Sequence, residues 1–321
     1  MHHCVLCLHN IGQSYQAAYV TILSCFANTS AKLHVHLVVD ESVAPYRHFF
    51  QELCDSRGHR LTFHDAPAIP DDIMAFFPGD SLEKYSSASL WRLQLHEMLP
   101  DVDKVVYLDG DIVVERDILD LFSLEPGTRL IIATHDPERR WSRRKRGYYL
   151  KRLGIVESRY FNSGVMVMNL KALRQRALAV GGNPFWLFTR ELHKRHPNLP
   201  YHLYDQDILN AYLSPDEEAL GLADSSFNYE VCLFRRRFMK MKDLRGKIIH
   251  YAALKPWGKF FPAQFPYWHY FTQSPWGSET MQRLEERIFD PHDRIMPMML
   301  GIWRNPALFR PIWKILRPFL K

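Results

Sequence analysis

The first half of the chain alternates short apolar runs with helix-patterned stretches, and that rhythm restricts the fold more than any other feature. "HHCVLCLH", "LHVHLVV" and "RLTFHDA" read as strands, and segments 15–27 and 45–56 between them read as helices. Strand, helix and strand in succession make a crossover unit, so the pattern predicts an α/β chain with a mostly parallel sheet flanked by helices. "SSASLWRLQLHEML" predicts an amphipathic helix with Leu90, Leu93, Leu95 and Met98 on its apolar face and a serine as N-cap. Further on, "KVVYLDGDIVV", "RLIIATHD" and "RYFNSGVMVMNL" are strand-like, "YDQDILNAYL" is a loop entering a helix, and "GKIIHYAALKPW" is a strand running into a loop fixed by Pro256. No internal repeat or low-complexity tract interrupts this order.

With 321 residues, 47% hydrophobic and 24% charged, the chain can bury a sizeable core, and its composition excludes a disordered or fibrous class. A net charge of +6 and a pI near 9.0 call for an anionic partner: a phosphorylated substrate, a membrane surface or nucleic acid. The five cysteines (Cys4, Cys7, Cys25, Cys54 and Cys232) form no disulfide framework and fit a reducing compartment. The opening "MHHCVLCLH" raises zinc binding by Cys4 and Cys7 with His2, His3 or His9; in a strand, however, positions three apart point to opposite faces, which disfavours it. No basic residue precedes the first apolar stretch, and no apolar run approaches the ~20 residues of a spanning helix, so neither a secretory signal nor a membrane span is expected.

"VVYLDGDIVV" has two readings. Asp-Gly between apolar runs is a strong hairpin signal. If "KVVYL" is instead a buried parallel strand, Asp109 and Asp111 stand at its carboxyl end, where open α/β sheets place ligands, and both carboxylates reach one side while Gly110 leaves room for close approach. Hard oxygen donors of this kind suit magnesium or manganese.

The segments "YLDGDIVV", "YFNSGVMVMNL", "YDQDILNAYL" and "HYAALKPW", in that order, resemble glycosyltransferase family 8, the retaining GT-A group that includes bacterial lipopolysaccharide and capsule sugar transferases and is related to glycogenin. The resemblance runs from about residue 5 to residue 276. It implies that Asp109, Asp111 and His250 hold a divalent metal, usually manganese, with magnesium as the alternative; the local reading of His250 alone is a half-buried strand-end histidine. It implies that Lys255 contacts the donor diphosphate and that Arg92 approaches the donor sugar, against the local reading of Arg92 as an exposed helix arginine. Asn162, Asp205, Gln206 and Asp207 would surround the transferred sugar, with Asp136 facing it. Gln206 would stabilise positive charge at the anomeric carbon, while Asp205 reads locally as a helix cap. Tyr15 would stack on the nucleotide base.

Two departures from the family pattern are visible. The loop after the first strand, "LHNIGQSY", is long and lacks the usual acid, and His250 is not followed by the usual glycine. The basic tracts 139–152 and 235–247 flank the site segments and suit either a solvated face or a phosphorylated glycolipid. Residues 1–285 are expected to form the catalytic domain and 286–321 a basic, aromatic tail. In that tail Arg310, Lys314, Arg317 and Lys321 recur beside Phe309, Ile312, Trp313 and Leu316, which suits an anionic membrane, although Pro306, Pro311 and Pro318 break any single helix.

The expected activity is transfer of galactose or glucose from a UDP-sugar to a lipopolysaccharide, lipid-linked or polysaccharide acceptor at the inner face of a bacterial inner membrane. A soluble-acceptor transferase and a noncatalytic nucleotide-sugar scaffold are the alternatives. No nucleic-acid partner is expected, since no recognition fold accompanies the charge.

Overall fold

A computed structural model of the protein describes residues 1–77, 87–136, 143–197, 204–231, 244–252, 255–256 and 262–278, with residues 143–146, 204 and 262 described by backbone alone. The expected tail, Cys232 and most of the basic tract 235–247 lie outside the described residues.

The strands are β1 (His2–Leu8), β2 (Leu33–Val39), β3 (Arg60–Asp65), β4 (Lys104–Leu108), β5 (Ile112–Val114), β6 (Ile131–His135), β7 (Phe161–Asn169), β8 (Leu220–Ala223), β9 (Tyr229–Glu230) and β10 (Ile248–His250). Seven of them form one sheet in the order β3-β2-β1-β4-β7-β6-β8, and a small second sheet has the order β5-β10-β9. In the large sheet only β7 is reversed, pairing antiparallel with β4 and β6, while the remaining pairs are parallel. The alternating strand and helix pattern therefore predicts the sheet correctly.

Helices α1 (Ser14–Ala27) and α2 (Arg47–Ser56) make the first two crossovers. α1 is buried all round from Ala17 to Phe26, because it lies between the large sheet and β5. Its polar residues are satisfied on the chain it covers: the Thr21 hydroxyl lies within donating reach of the carbonyls of Gly110 (3.0 Å) and Ile112 (2.8 Å), and the Asn28 amide donates to the Val114 carbonyl at 2.8 Å. Burying these groups without partners would destabilise the helix, so the bonds fix α1 to the Asp-Gly-Asp segment. Cys4 packs in the core on one side of the sheet with Cys25 and Cys54, whereas Cys7 borders the core on the other side. The two thiols cannot chelate together, and burial pushes both up to about 12.

The predicted amphipathic helix around Arg92 is not one helix. It divides into Ala88–Trp91, a 3-10 turn Arg92–Gln94 and Leu95–Met98, with no side-chain cap from Ser87. Leu93 and Leu95 are two apart, a spacing that one α-helical face cannot serve. The break lets every residue from Leu90 to His96 bury. The polar stretch 136–158 contains a helix, Arg143–Leu153.

Candidate active site

The junction between the two sheets builds the site. At the end of β4, the Asp109 N–H donates to the Gly164 carbonyl of β7 at 2.8 Å. Three residues later the chain enters β5, which pairs antiparallel with β10 and sets Ile112 opposite His250. The Tyr251 N–H then donates to the Asp111 carbonyl at 3.1 Å. Because β4 and β5 belong to different sheets, and Gly110 lacks the positive φ of a type I′ turn, the hairpin reading fails.

One ligand atom from each of Asp109, Asp111 and His250 lies within 4.8 Å of the other two. His250 Nε2 is 3.6 Å from Asp109 Oδ2 and 3.4 Å from Asp111 Oδ1. Its Nδ1 donates to Asn228 Oδ1 at 3.0 Å. An amide oxygen only accepts, so the proton sits on Nδ1 and the Nε2 lone pair faces the carboxylates, the form in which imidazole binds a metal. Asn228 is held in turn by its amide donating to Asn162 Oδ1 at 2.8 Å, where the Gly164 N–H also donates. Two carboxylates and one neutral imidazole fit a hard or borderline divalent cation.

Gly164 is required for this closeness. A Cβ there would overlap the His250 ring and stand 2.8 Å from Asp109 Oδ2. At Gly110, by contrast, a Cβ would make only ordinary contact with Ala18.

Arg92 is buried, its side chain only 7% exposed, so the exposed-arginine reading is corrected. Its guanidinium donates to Asp109 Oδ1 at 2.8 Å and to the Ser163 carbonyl at 3.0 Å, and it approaches Asp205 Oδ2 at 3.3 Å. It lies 4.4 Å over the Tyr107 ring, whose hydroxyl donates to Asp109 Oδ1 at 2.8 Å. Lys255, with 46% of its side chain exposed, pairs with Asp111 Oδ2. Burial would raise the Asp111 carboxyl, but the Lys255 charge, with the His250 ring beside it, outweighs burial and holds the group well below the usual carboxylate range.

The helix Tyr204–Leu213 begins before Asp205, which places Asp205, Gln206 and Asp207 in its first turn, where acidic side chains favour the helix dipole. Asn210 docks this helix on β7 by exchanging two hydrogen bonds with the Phe161 backbone, each 2.8 Å. Gln206 Oε1 accepts from the Ser163 N–H at 3.2 Å, and its Nε2 donates to Asp136 Oδ2 (2.9 Å) and the Tyr160 hydroxyl (3.1 Å). Asp205 accepts from the Ser163 hydroxyl at 2.8 Å, and burial pushes its carboxyl up to about 6, with Arg92 opposing the rise and Asp109 adding to it. Asp207 accepts from the hydroxyls of Tyr149 (2.6 Å) and Tyr160 (3.0 Å) and so supports the helix rather than joining the metal cluster.

Tyr15 stacks on Tyr46 at 3.8 Å and meets the edge of Trp276. Nearby, His9 and Ser42 both bond Asp40, so an acid stands at the end of β2 beside the loop that lacks one. Gly164, Ser163, Asn228 and the tyrosines 107, 149 and 160 were not picked out by sequence reasoning as site residues. Gly164 and Ser163 lie inside the "FNSG" motif, while Asn228 has no local signal.

The family model described as "Glycosyl transferase family 8" matches residues 9–260. Relatives include the lipopolysaccharide 1,3-galactosyltransferase of Salmonella typhimurium, 27% identical over 61% of this chain and 57% of that protein, and the mouse glucoside xylosyltransferase 1, 30% identical over 54% and 46%. This chain thus spans about half the length of such curated relatives. A solved structure titled as the galactosyltransferase LgtC with donor and acceptor sugar analogs superposes with a TM-score of 0.64 at 22% identity, covering 85% of this chain and 96% of that one, and it establishes the GT-A fold. With the matched region covering most of its length, the chain belongs to glycosyl transferase family 8.

Proposed function

We propose that the protein is a retaining, divalent-metal-dependent hexosyltransferase that moves galactose or glucose from a UDP-sugar to a lipopolysaccharide, lipid-linked or polysaccharide acceptor. The observation that carries this reading is the convergence of Asp109, Asp111, His250 and Lys255 at the sheet junction. Asp109, Asp111 and His250 would hold a divalent cation, manganese by preference, which would supply charge neutralisation for the departing diphosphate. Lys255 binds the diphosphate as a long-stemmed point charge, and Arg92 fixes Asp109 and Asp205 in place. Asp136, Asp205 and Asp207 are each engaged by Gln206, Arg92 with Ser163, or tyrosine hydroxyls, so none is poised as a general base opposite the leaving group. The acceptor proton then passes to the leaving phosphate on the same face of the sugar, which retains configuration, and the Gln206 amide stabilises positive charge at the anomeric carbon. A panel of UDP-sugars assayed for UDP release with and without manganese tests this reading. Release from no member of the panel leaves the scaffold alternative, and an inverted anomeric signal in the product removes the retaining mechanism.

The tail 286–321 would hold the enzyme on the anionic inner face of a bacterial inner membrane. Binding of the full chain to anionic liposomes that survives deletion of the tail overturns that placement.

A further inference from the structure

A second histidine cluster lies on the large sheet, away from the junction. Parallel pairing sets His3 of β1 beside His34 of β2, and strand alternation puts His36 on the same face. One ligand nitrogen from each of His3, His34 and His36 lies within 4.8 Å of the other two. His3 Nδ1 is 2.9 Å from His36 Nε2, and the His34 and His36 rings stack with centroids 4.0 Å apart. Strand β3 fixes both β2 rings through their other nitrogens: Thr62 Oγ1 lies 2.8 Å from His34 Nε2, and His64 Nε2 lies 2.9 Å from His36 Nδ1. Each of the two β2 rings therefore has one nitrogen anchored by β3 and one left for a ligand, the arrangement by which outer groups orient metal-binding imidazoles.

We propose that His3, His34 and His36 form a site for a divalent transition metal of the zinc type, with His64 and Thr62 as positioning residues. Three imidazoles and an open fourth position are an established zinc donor set, and nitrogen donors favour zinc over magnesium or manganese. Zinc–nitrogen bonds of 2.0–2.1 Å in tetrahedral geometry place ligand nitrogens about 3.3 Å apart, so the 2.9 Å contact need open by only a few tenths of an ångström. Burial is the largest cause lowering His36 to about 3 and His34 to about 4, which keeps both rings in the neutral, ligating form at pH 7.

Solvent reaches the cluster at His3, which is half-buried and borders a surface cleft with Asp101 and Asp103. Arg60 on β3 adds to the lowering of His34 and opposes an incoming dication. The cluster is separate from the junction. Because Cys4 pairs with Val106, His3 stands level with Val105, four residues before Asp109, or roughly 13 Å along the strands.

The test uses the full chain carrying Asp111→Asn, which weakens the junction site. After removal of metal with a chelator, zinc affinity and the visible absorption of bound cobalt(II) are measured, together with the zinc-dependent rise in Tm. The expected result is a tetrahedral cobalt spectrum and a Tm rise of about 5 °C with zinc. Adding His3→Gln or His34→Gln is expected to lower zinc affinity at least tenfold, with metal-free Tm confirming that each variant folds, while Arg60→Ala tightens binding. Zinc affinity unchanged in both histidine variants overturns the proposal. So does a loss confined to His3→Gln, which would point to binding by the chain terminus.

Discussion

The junction cluster and the strand-face cluster both centre on histidine, but their neighbours treat charge in opposite ways. At the junction His250 faces two carboxylates, and the cations Lys255 and Arg92 already sit on them. On the strand face the three imidazoles have Arg60 nearby as the charge that lowers His34. An oxygen-rich pocket at strand ends suits a hard cation that shares its coordination with a phosphate. A nitrogen-rich pocket on the face of a sheet suits a cation that stays. The difference follows from topology: the junction lies where chain segments change sheets and loops open, whereas the face lies between strands in regular register.

The largest expected effect breaks the comparison outright. Asp111→Asn should lower sugar transfer on the order of 10³-fold at limiting manganese and leave Tm nearly unchanged, since it removes a ligand but not a core contact. Near wild-type turnover in this variant would show that the junction carboxylates hold no catalytic metal. Gly164→Ala should cost on the order of 10²-fold, because its Cβ overlaps the His250 ring. Undiminished activity in Gly164→Ala would contradict that account.

Gln206→Ala sharpens the division of labour within the junction. If the amide acts on the transition state, kcat should fall about 10²-fold with little change in donor KM, and a rise in KM alone would assign it to ground-state binding. Asn228→Ala comes next, with a loss of roughly tenfold in manganese affinity, read by titrating activity with the metal. That loss depends on Asn228 holding the Nδ1 proton of His250 at 3.0 Å. An unchanged manganese midpoint would mean that the ring keeps its orientation without this support.

Much of the fold was legible because buried strands announce themselves by continuous apolar runs, as in "LHVHLVV" and "KVVYL". The candidate metal cluster was legible in full only through resemblance, since nothing in "VVYLDGDIVV" itself tells a hairpin from a crossing between sheets. Asn228 was hidden because its role depends on β9 lying beside β10, a parallel pairing between segments about twenty residues apart. The strand-face cluster was hidden for a related reason. Cys4, next to His3 in sequence, points to the opposite face, and the true neighbours of His3 stand one helix later, on β2. Of the two readings of Arg92, the exposed one failed because it assumed a regular helix where the chain tightens into a 3-10 turn.

The last effect concerns a histidine in neither cluster and separates burial from metal chemistry. His96 is 1% exposed, and burial, with Arg174 adding, lowers its pKa to about 4. Its folded value lies below the unfolded value near 6.5, so between these two pH values the unfolded chain binds more protons and stability rises with pH. The contribution is complete above about pH 6.5 and is lost progressively as pH falls toward 4. At pH 5 the loss should be about 2 kcal/mol for this residue. His34 and His36 titrate in the same window, so the wild type alone cannot isolate it. Denaturant unfolding at pH 7 and pH 5 should give a difference in stability that is about 2 kcal/mol smaller in His96→Leu than in the wild type, and chelator should leave that gap unchanged. Equal pH dependence in the two proteins would mean that the ring is solvated or paired well enough to charge in place. A gap that appears only after chelation would tie His96 to a metal after all.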